Sequence, residues 1–125
     1  MDIVITVDNL KDFTSNKDDV LYDSIDLTDT IDFVHYEDRQ KYLLFAFSKM
    51  RIGSELRLKS IDTVLLGKNL VFKTVNEARL SKIVENRKSL GSKEECLELA
   101  KINKISLKFV QFSSIYYDIT FKREI

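Results

Sequence analysis

The clearest hydrophobic pattern lies at the carboxyl-terminal end of the chain. Residues 115–123 alternate Ile115, Tyr117, Ile119 and Phe121 against Tyr116, Asp118, Thr120 and Lys122, the period of a strand with one buried face. Residues 104–112 set Ile105, Leu107 and Phe109 on one side and Val110 and Phe112 on the other, with Ser113-Ser114 as the turn of a hairpin. Residues 54–61 also alternate, Leu56 and Leu58 against Glu55, Arg57 and Lys59. A strand covered on both faces reads as nearly all apolar, so this one has a face that is wet at least in part. Nearer the start, the β-branched run Ile3-Val4-Ile5-Thr6-Val7 predicts a short buried strand ended by Asp8-Asn9. Residues 20–25 predict a second strand, residues 30–34 a short extended segment, and residues 14–19 a loop.

Helical spacing appears between these strands. A helix is expected from about Glu37 to Met50, with Leu43, Phe47 and Met50 as its buried stripe and Gly53 as its stop. Asp62 or Thr63 is expected to cap a short helix ending near Gly67, and a further helix is expected over residues 74–86. Ser92 and Glu95 form an S-x-x-E capping box opening a helix to about Ile102, with Cys96, Leu99 and Ala100 on one face. The order predicts one α/β domain over residues 1–125. It is a small two- or three-layer Rossmann-like mixed sheet, mostly parallel, with a C-terminal antiparallel hairpin.

Composition sharpens this picture in three ways. The chain has no proline and only Gly53, Gly67 and Gly91, so its loops must be built from Asn, Asp, Ser and Lys. No apolar run approaches the roughly 20 residues that cross a bilayer, the amino terminus does not read as a secretory signal, and Cys96 is the single cysteine. A cytoplasmic setting without a membrane is the expectation. The net charge is zero but unevenly placed: residues 1–40 hold 11 acidic and 3 basic side chains, a balance of −8, and the remainder a balance of +8. A solvated surface explains this; head-to-tail self-association or a basic patch are the sharper alternatives.

Candidate chemistry is sparse. One histidine, His35, and one cysteine exclude a Cys-His or Ser-His-Asp machine of ordinary design and a zinc site. Asp8, Asp12, Asp23, Asp26, Asp29 and Asp32 could offer carboxylates to magnesium, but their spacing matches no calcium loop and reads as a solvated acidic surface. No glycine precedes position 53, so no glycine-rich phosphate cradle exists in the first part of the chain. Asp32, His35 and Tyr36 follow a short β-like run, where ligands bind in open α/β sheets, and are the one suggestive cluster. Arg79, Lys82, Arg87, Lys88 and Lys93 would serve a nucleic-acid surface, which the neutral net charge makes the least favoured reading.

The segment from Ile31-Asp32-Phe33-Val34-His35-Tyr36 through Leu43-Leu44-Phe45 to Met50-Arg51-Ile52-Gly53-Ser54-Glu55-Leu56 resembles the back half of class I S-adenosylmethionine (SAM)-dependent methyltransferases. In these a helix ends in a Leu-Lys-Pro-Gly-Gly turn before a strand; here one glycine is kept and the proline is absent. Asn86-Arg87-Lys88-Ser89-Leu90, the capped helix and the closing strands are similar to that family's final helix and antiparallel pair. The resemblance covers about residues 20–125 and is nearest to short, truncated methyltransferase-like proteins of tailed phages. It departs where cofactor is held: Asp8-Asn9-Leu10-Lys11 has no glycine, and Asp23 or Asp26 is only an unaligned stand-in for the acidic ribose ligand. The resemblance implies a non-catalytic binding or assembly module without cofactor, in a host cytoplasm or a virion, as a homo-oligomer or with a partner protein. The alternative it implies is a SAM-dependent methyltransferase with a degenerate site, for which Asp8, Asp32, His35 and Tyr36 are the cofactor-side candidates.

Overall fold

The computed structural model describes residues 2–15, 20–73 and 75–125. Five strands, β1 (Asp2–Val4), β2 (Tyr22–Thr28), β3 (Met50–Ile61), β4 (Ser106–Ser113) and β5 (Tyr116–Lys122), form one sheet in the order β1-β2-β3-β5-β4. Five helices accompany them: α1 (Leu10–Ser15), α2 (Arg39–Ser48), α3 (Thr63–Val71), α4 (Glu77–Ile83) and α5 (Lys93–Ile102). β1–β2 and β2–β3 pair parallel, whereas β3–β5 and β5–β4 pair antiparallel. The sheet is therefore evenly mixed, not mostly parallel. Only two strand–helix–strand crossovers fit into the first half of the chain, and the hairpin contributes the other pairings.

The sheet has one dry face and one wet face. Ile25, Leu27, Leu56, Leu58, Tyr117, Ile119 and Phe121 point into one apolar cluster with Phe13 of α1, Leu43, Ala46 and Phe47 of α2, and Cys96 and Ala100 of α5. The alternate positions, Ser24, Asp26 and Thr28, Glu55, Arg57 and Lys59, and Asp118 and Thr120, are polar, and none is buried. Cross-strand ion pairs lace this side: Arg57 grips Asp118 at 2.7 and 3.1 Å, and Lys108 pairs with Glu55. This is the wet face expected from β3, extended across the sheet, and it makes the main body a two-layer sandwich. The accessible surface of 7586 Å² exceeds the roughly 6,900 Å² expected of a compact chain of this mass. A smaller apolar cluster, Ile61, Leu66, Val75 and Ile115 with Leu70, Leu80 and Ile83, fixes α3 and α4 beyond the carboxyl end of β3.

Several elements differ from the sequence expectation, each for a physical reason. β1 is three residues long with only Ile3 half-covered, because it is an edge strand; Ile5 alone of that run is fully buried. The predicted loop at residues 14–19 begins inside α1, and residues 16–19 lie outside the described residues. Residues 30–34 are not extended: Ile31–Phe33 form a 3₁₀ turn, and a second one, Tyr36–Asp38, leads into α2. Gly53 does not stop α2, which ends at Ser48. It sits inside β3 at φ +86°, where a step of five along β3 (50–55) faces a step of two on β2 (22–24), a bulge that calls for a residue free to take positive φ. α3 runs through Gly67 to Val71, and α4 is shorter than residues 74–86. In β4, Leu107, Phe109 and Phe112 are each about half exposed, because a bulge at Lys108 and the edge position leave little to cover them. The expectation that glycine-poor loops lean on Asn, Asp, Ser and Lys holds: the described residues at positive φ other than glycine are Asp29, Lys73, Asn86, Lys104 and Ser114.

The capping box is replaced by a longer-range device. Ser92 makes no side-chain cap bond, and Glu95 turns to Arg39. Asp62 serves instead: its Oδ1 accepts from Val64 N at 2.8 Å and Leu65 N at 3.3 Å, and its Oδ2 accepts from Lys93 N at 3.3 Å. One carboxylate thus caps α3 and α5, 31 residues apart. Asp62→Ala should cost about 2 kcal/mol, more than a single cap, with Asp62→Asn recovering part, as read from urea unfolding midpoints. A loss of under about 0.5 kcal/mol would mean that the two helices do not depend on it.

Candidate functional site

Of the four residues singled out from sequence, the structure separates Asp32 from the rest. Asp8 is exposed on the turn after β1, and His35 and Tyr36 are exposed on the link between β2 and α2, Tyr36 by 67%. Asp32 is fully buried. The turn Ile31–Phe33 drives its carboxylate inward, whereas the extended backbone at His35 carries the next residues outward. The proposed Asp32–His35–Tyr36 cluster therefore does not form.

Asp32 belongs instead to a buried ionic network at the carboxyl end of the sheet. Its Oδ1 accepts from Arg39 Nη1 at 2.7 Å, and its Oδ2 accepts from Arg87 Nη1 at 3.0 Å and Ile61 N at 3.4 Å. Its main-chain carbonyl accepts from Lys88 N at 2.8 Å and Ser89 N at 3.0 Å. Arg39, also fully buried, donates to both oxygens of Glu95 and to Ser89 Oγ at 3.0 Å. Arg87 reaches Asp29 at 2.7 Å and stacks on Phe33, 4.9 Å from its ring centre. Burial works against both guanidinium charges, but the paired carboxylates outweigh it: Arg39 is held up by Asp32 and Glu95, and Arg87 by Asp29 and Asp32. A Cβ on Gly91 would overlap Glu95 Oε2 and the Arg39 guanidinium, which explains a glycine there.

Sequence reasoning missed Arg39, Arg87 and Glu95. A signal existed for Arg39, which stands at i, i+4, i+8 and i+11 with Leu43, Phe47 and Met50 and so falls on the buried stripe of α2. Glu95 was masked by its place in an apparent capping box. Arg87, read as one of five surface cations, lies almost wholly inside the network.

Two other features bear on chemistry. At the rim formed by the ends of β1 and β2, Asn9 closes the turn: its Oδ1 accepts from Thr6 N at 2.7 Å and its Nδ2 donates to Val4 O at 3.0 Å. Thr30 Oγ1 bridges to Ile5 O at 3.0 Å. Side chains thus shape the place where the resembled family uses glycine. Beside it, a cleft of about 420 Å³ between the start of α2 and α5 is lined by Tyr36, Gln40, Ser92, Glu95, Glu98 and Ile102. No metal-binding group of three or more His, Cys, Asp or Glu side chains occurs among the described residues, and no helix among them is long and apolar enough to cross a membrane. Cys96 is buried with its Sγ 3.5 Å from Tyr117 OH, and burial pushes its thiol up to about 12.

No protein-family model and no curated protein matches the chain. Solved structures do. An O-methyltransferase family protein from Burkholderia thailandensis superposes with a TM-score of 0.65 at 12% identity, over 91% of this chain and 32% of that one. A SAM-dependent methyltransferase from Archaeoglobus fulgidus gives 0.63 at 12%, over 95% and 66%. The Burkholderia thailandensis 1,6-didemethyltoxoflavin-N1-methyltransferase, with 1,6-didemethyltoxoflavin and S-adenosylhomocysteine bound, gives 0.60 at 11%, over 90% and 48%. At these identities the likeness establishes the fold: a methyltransferase-like, Rossmann-like mixed α/β sheet. The chain spans between about a third and two thirds of the length of these structures.

Two predictions test the site. Arg39→Met leaves Glu95 without its guanidinium and Asp32 with one of its two, and should cost about 3–5 kcal/mol in chemical denaturation, whereas Asp32→Leu combined with Arg39→Met should recover a good part of the loss. An equal or larger loss in the double variant would show that the network is needed as such. Cys96 should resist alkylation at pH 8 in the folded protein and react at the ordinary rate in urea. Because its folded pKa is raised, its contribution to stability is complete below about pH 8.5 and fades as pH climbs towards 12.

Proposed function

We propose that this chain is a SAM-dependent methyltransferase with a degenerate cofactor site, binding its cofactor along the rim between the β1 turn and the end of β2. The observation that carries this reading is the superposition of nine tenths or more of the chain on such enzymes. Methyl transfer asks little of a protein beyond holding donor and acceptor in line, so a site without glycine is compatible with it. In this reading Asn9 shapes the turn that glycines shape elsewhere, exposed Asp8 and half-buried Asp26 offer the carboxylates of the rim, and a partner chain supplies the remaining wall. His35 and Tyr36, on the same edge, are placed to meet an acceptor; Asp32 is structural.

A second reading is favoured by one observation. The sheet face that lacks helices is polar over β2, β3 and β5 and ion-paired through Arg57–Asp118 and Lys108–Glu55, which suits water; apolar side chains on it, Val4 and Phe109, stand on the edge strands. On that basis the chain is a cofactor-free binding or assembly module, of the reduced kind found among phage proteins.

Isothermal titration with SAM and S-adenosylhomocysteine separates the two. The enzyme reading expects saturable heat, with Kd in the range of about 10 μM to 1 mM, weakened at least tenfold by Asn9→Ala. No heat at millimolar cofactor, from protein shown folded by circular dichroism and with its partner supplied, would remove the enzyme reading and leave the module.

A further inference from the structure

We infer that two patches on this chain are made for each other and that copies associate head to tail, the α3 surface of one against the β1 end of the next. The inference goes beyond the cofactor reading and shares the β1 turn with it, so that Asp8 belongs to both surfaces. α3, Thr-Val-Leu-Leu-Gly-Lys-Asn-Leu-Val, is apolar nearly all round, which in a stable helix calls for cover on both sides. Its inner side has cover, through Leu66 and Leu70. Its outer side has none: Val64 is 53% exposed, and Val71 and Phe72 at its end are each 76% exposed. Lys68 and Lys73 are exposed beside them, and residues 64–73 hold no acidic side chain.

The second patch reverses the charge and repeats the apolarity. Val4 and Val7 are 61% and 51% exposed on β1 and the turn after it. Asp2 and Asp8 are exposed next to them in the chain, with Lys11 the one basic side chain in residues 2–12. β1 is also a free sheet edge. The two patches do not close on each other within a chain, because no residue of β1 or α1 belongs to the apolar cluster on which α3 rests. A two-fold dimer through either patch alone would set Lys68 and Lys73, or Asp2 and Asp8, against their own kind. Pairing α3 of one copy with the β1 end of another sets opposite charges together and apolar against apolar; made once per copy such a contact propagates or closes a ring, and made reciprocally about a two-fold axis it stops at a dimer.

Sedimentation equilibrium tests this. At low salt the weight-average mass should climb above 14.6 kDa with concentration, and fall back as salt shortens the screening length from about 10 Å at 0.1 M to about 3 Å at 1 M. Two double variants of exposed residues each remove one patch without reversing its charge: Lys68→Gln with Phe72→Ser, and Val7→Ser with Asp8→Asn. Each alone should be a monomer, and an equal mixture should give a 1:1 dimer that grows no further. A wild-type chain that stays monomeric at every concentration would overturn the inference. So would folded variants that still associate singly, or that ignore each other when mixed. Binding of either variant to anionic vesicles or to an acidic protein in place of its complement would assign the α3 patch to that partner and equally overturn it.

Discussion

A carboxylate taken fully out of water must be neutralised where it stands, and the carboxyl end of this sheet is organised around that requirement at Asp32. Two guanidiniums meet it, and each carries a further acceptor, Glu95 on Arg39 and Asp29 on Arg87. The result ties the turn after β2, the first residue of α2, the end of β3, the segment 87–89 and the first turn of α5 into one body. Desolvating five charges is costly, and such a network seldom adds stability over an apolar packing of equal volume. What it provides is a unique arrangement, since only one geometry satisfies Asp32 Oδ1 and Oδ2 together. Gly91 belongs to the same constraint, because the guanidinium of Arg39 occupies the space that its side chain would need.

Around that anchor the chain builds a two-layer sandwich with a methyltransferase-like sheet. Helices α1, α2 and α5 cover one side of the sheet, and the side laced by Arg57–Asp118 faces solvent. A sheet covered by helices on one side normally leaves an apolar face to protect. Here the alternation of Glu55, Arg57 and Lys59 with Leu56 and Leu58 has removed that liability across β2, β3 and β5. Unprotected apolar surface lies instead on α3, beside β1 and on the edge strand β4.

How much of this could be read from the chain depends on the range of the interactions involved. β5 and the inner half of β3 were legible because a period of two reports directly on a half-buried strand, as Tyr117, Ile119 and Phe121 show. The buried stripe of α2 was legible for the same reason, while its end was not, because Gly53 serves a bulge whose need arises from pairing with β2. Residues 30–34 look extended by composition, but the inward pull on Asp32 winds them into a turn. The candidate site was the least legible part. Ser92 and Glu95 carry a local signature that two distant partners override: Asp62 takes the cap, and Arg39 takes the glutamate. His35 and Tyr36 are three and four residues from Asp32, yet point to the other side of the chain.

The one-faced sheet also governs how the protein responds to temperature. The heat capacity gained on unfolding follows the apolar surface newly wetted, and an ordinary chain of 125 residues would gain about 1.5–1.9 kcal/mol/K. Here a whole sheet face is already wet in the native state, with Arg57, Lys59, Asp118 and Thr120 on it, so the increment is smaller. Its free-energy curve is correspondingly flatter, changing little between cold and warm, with both denaturation limits set far apart relative to the modest stability at its summit.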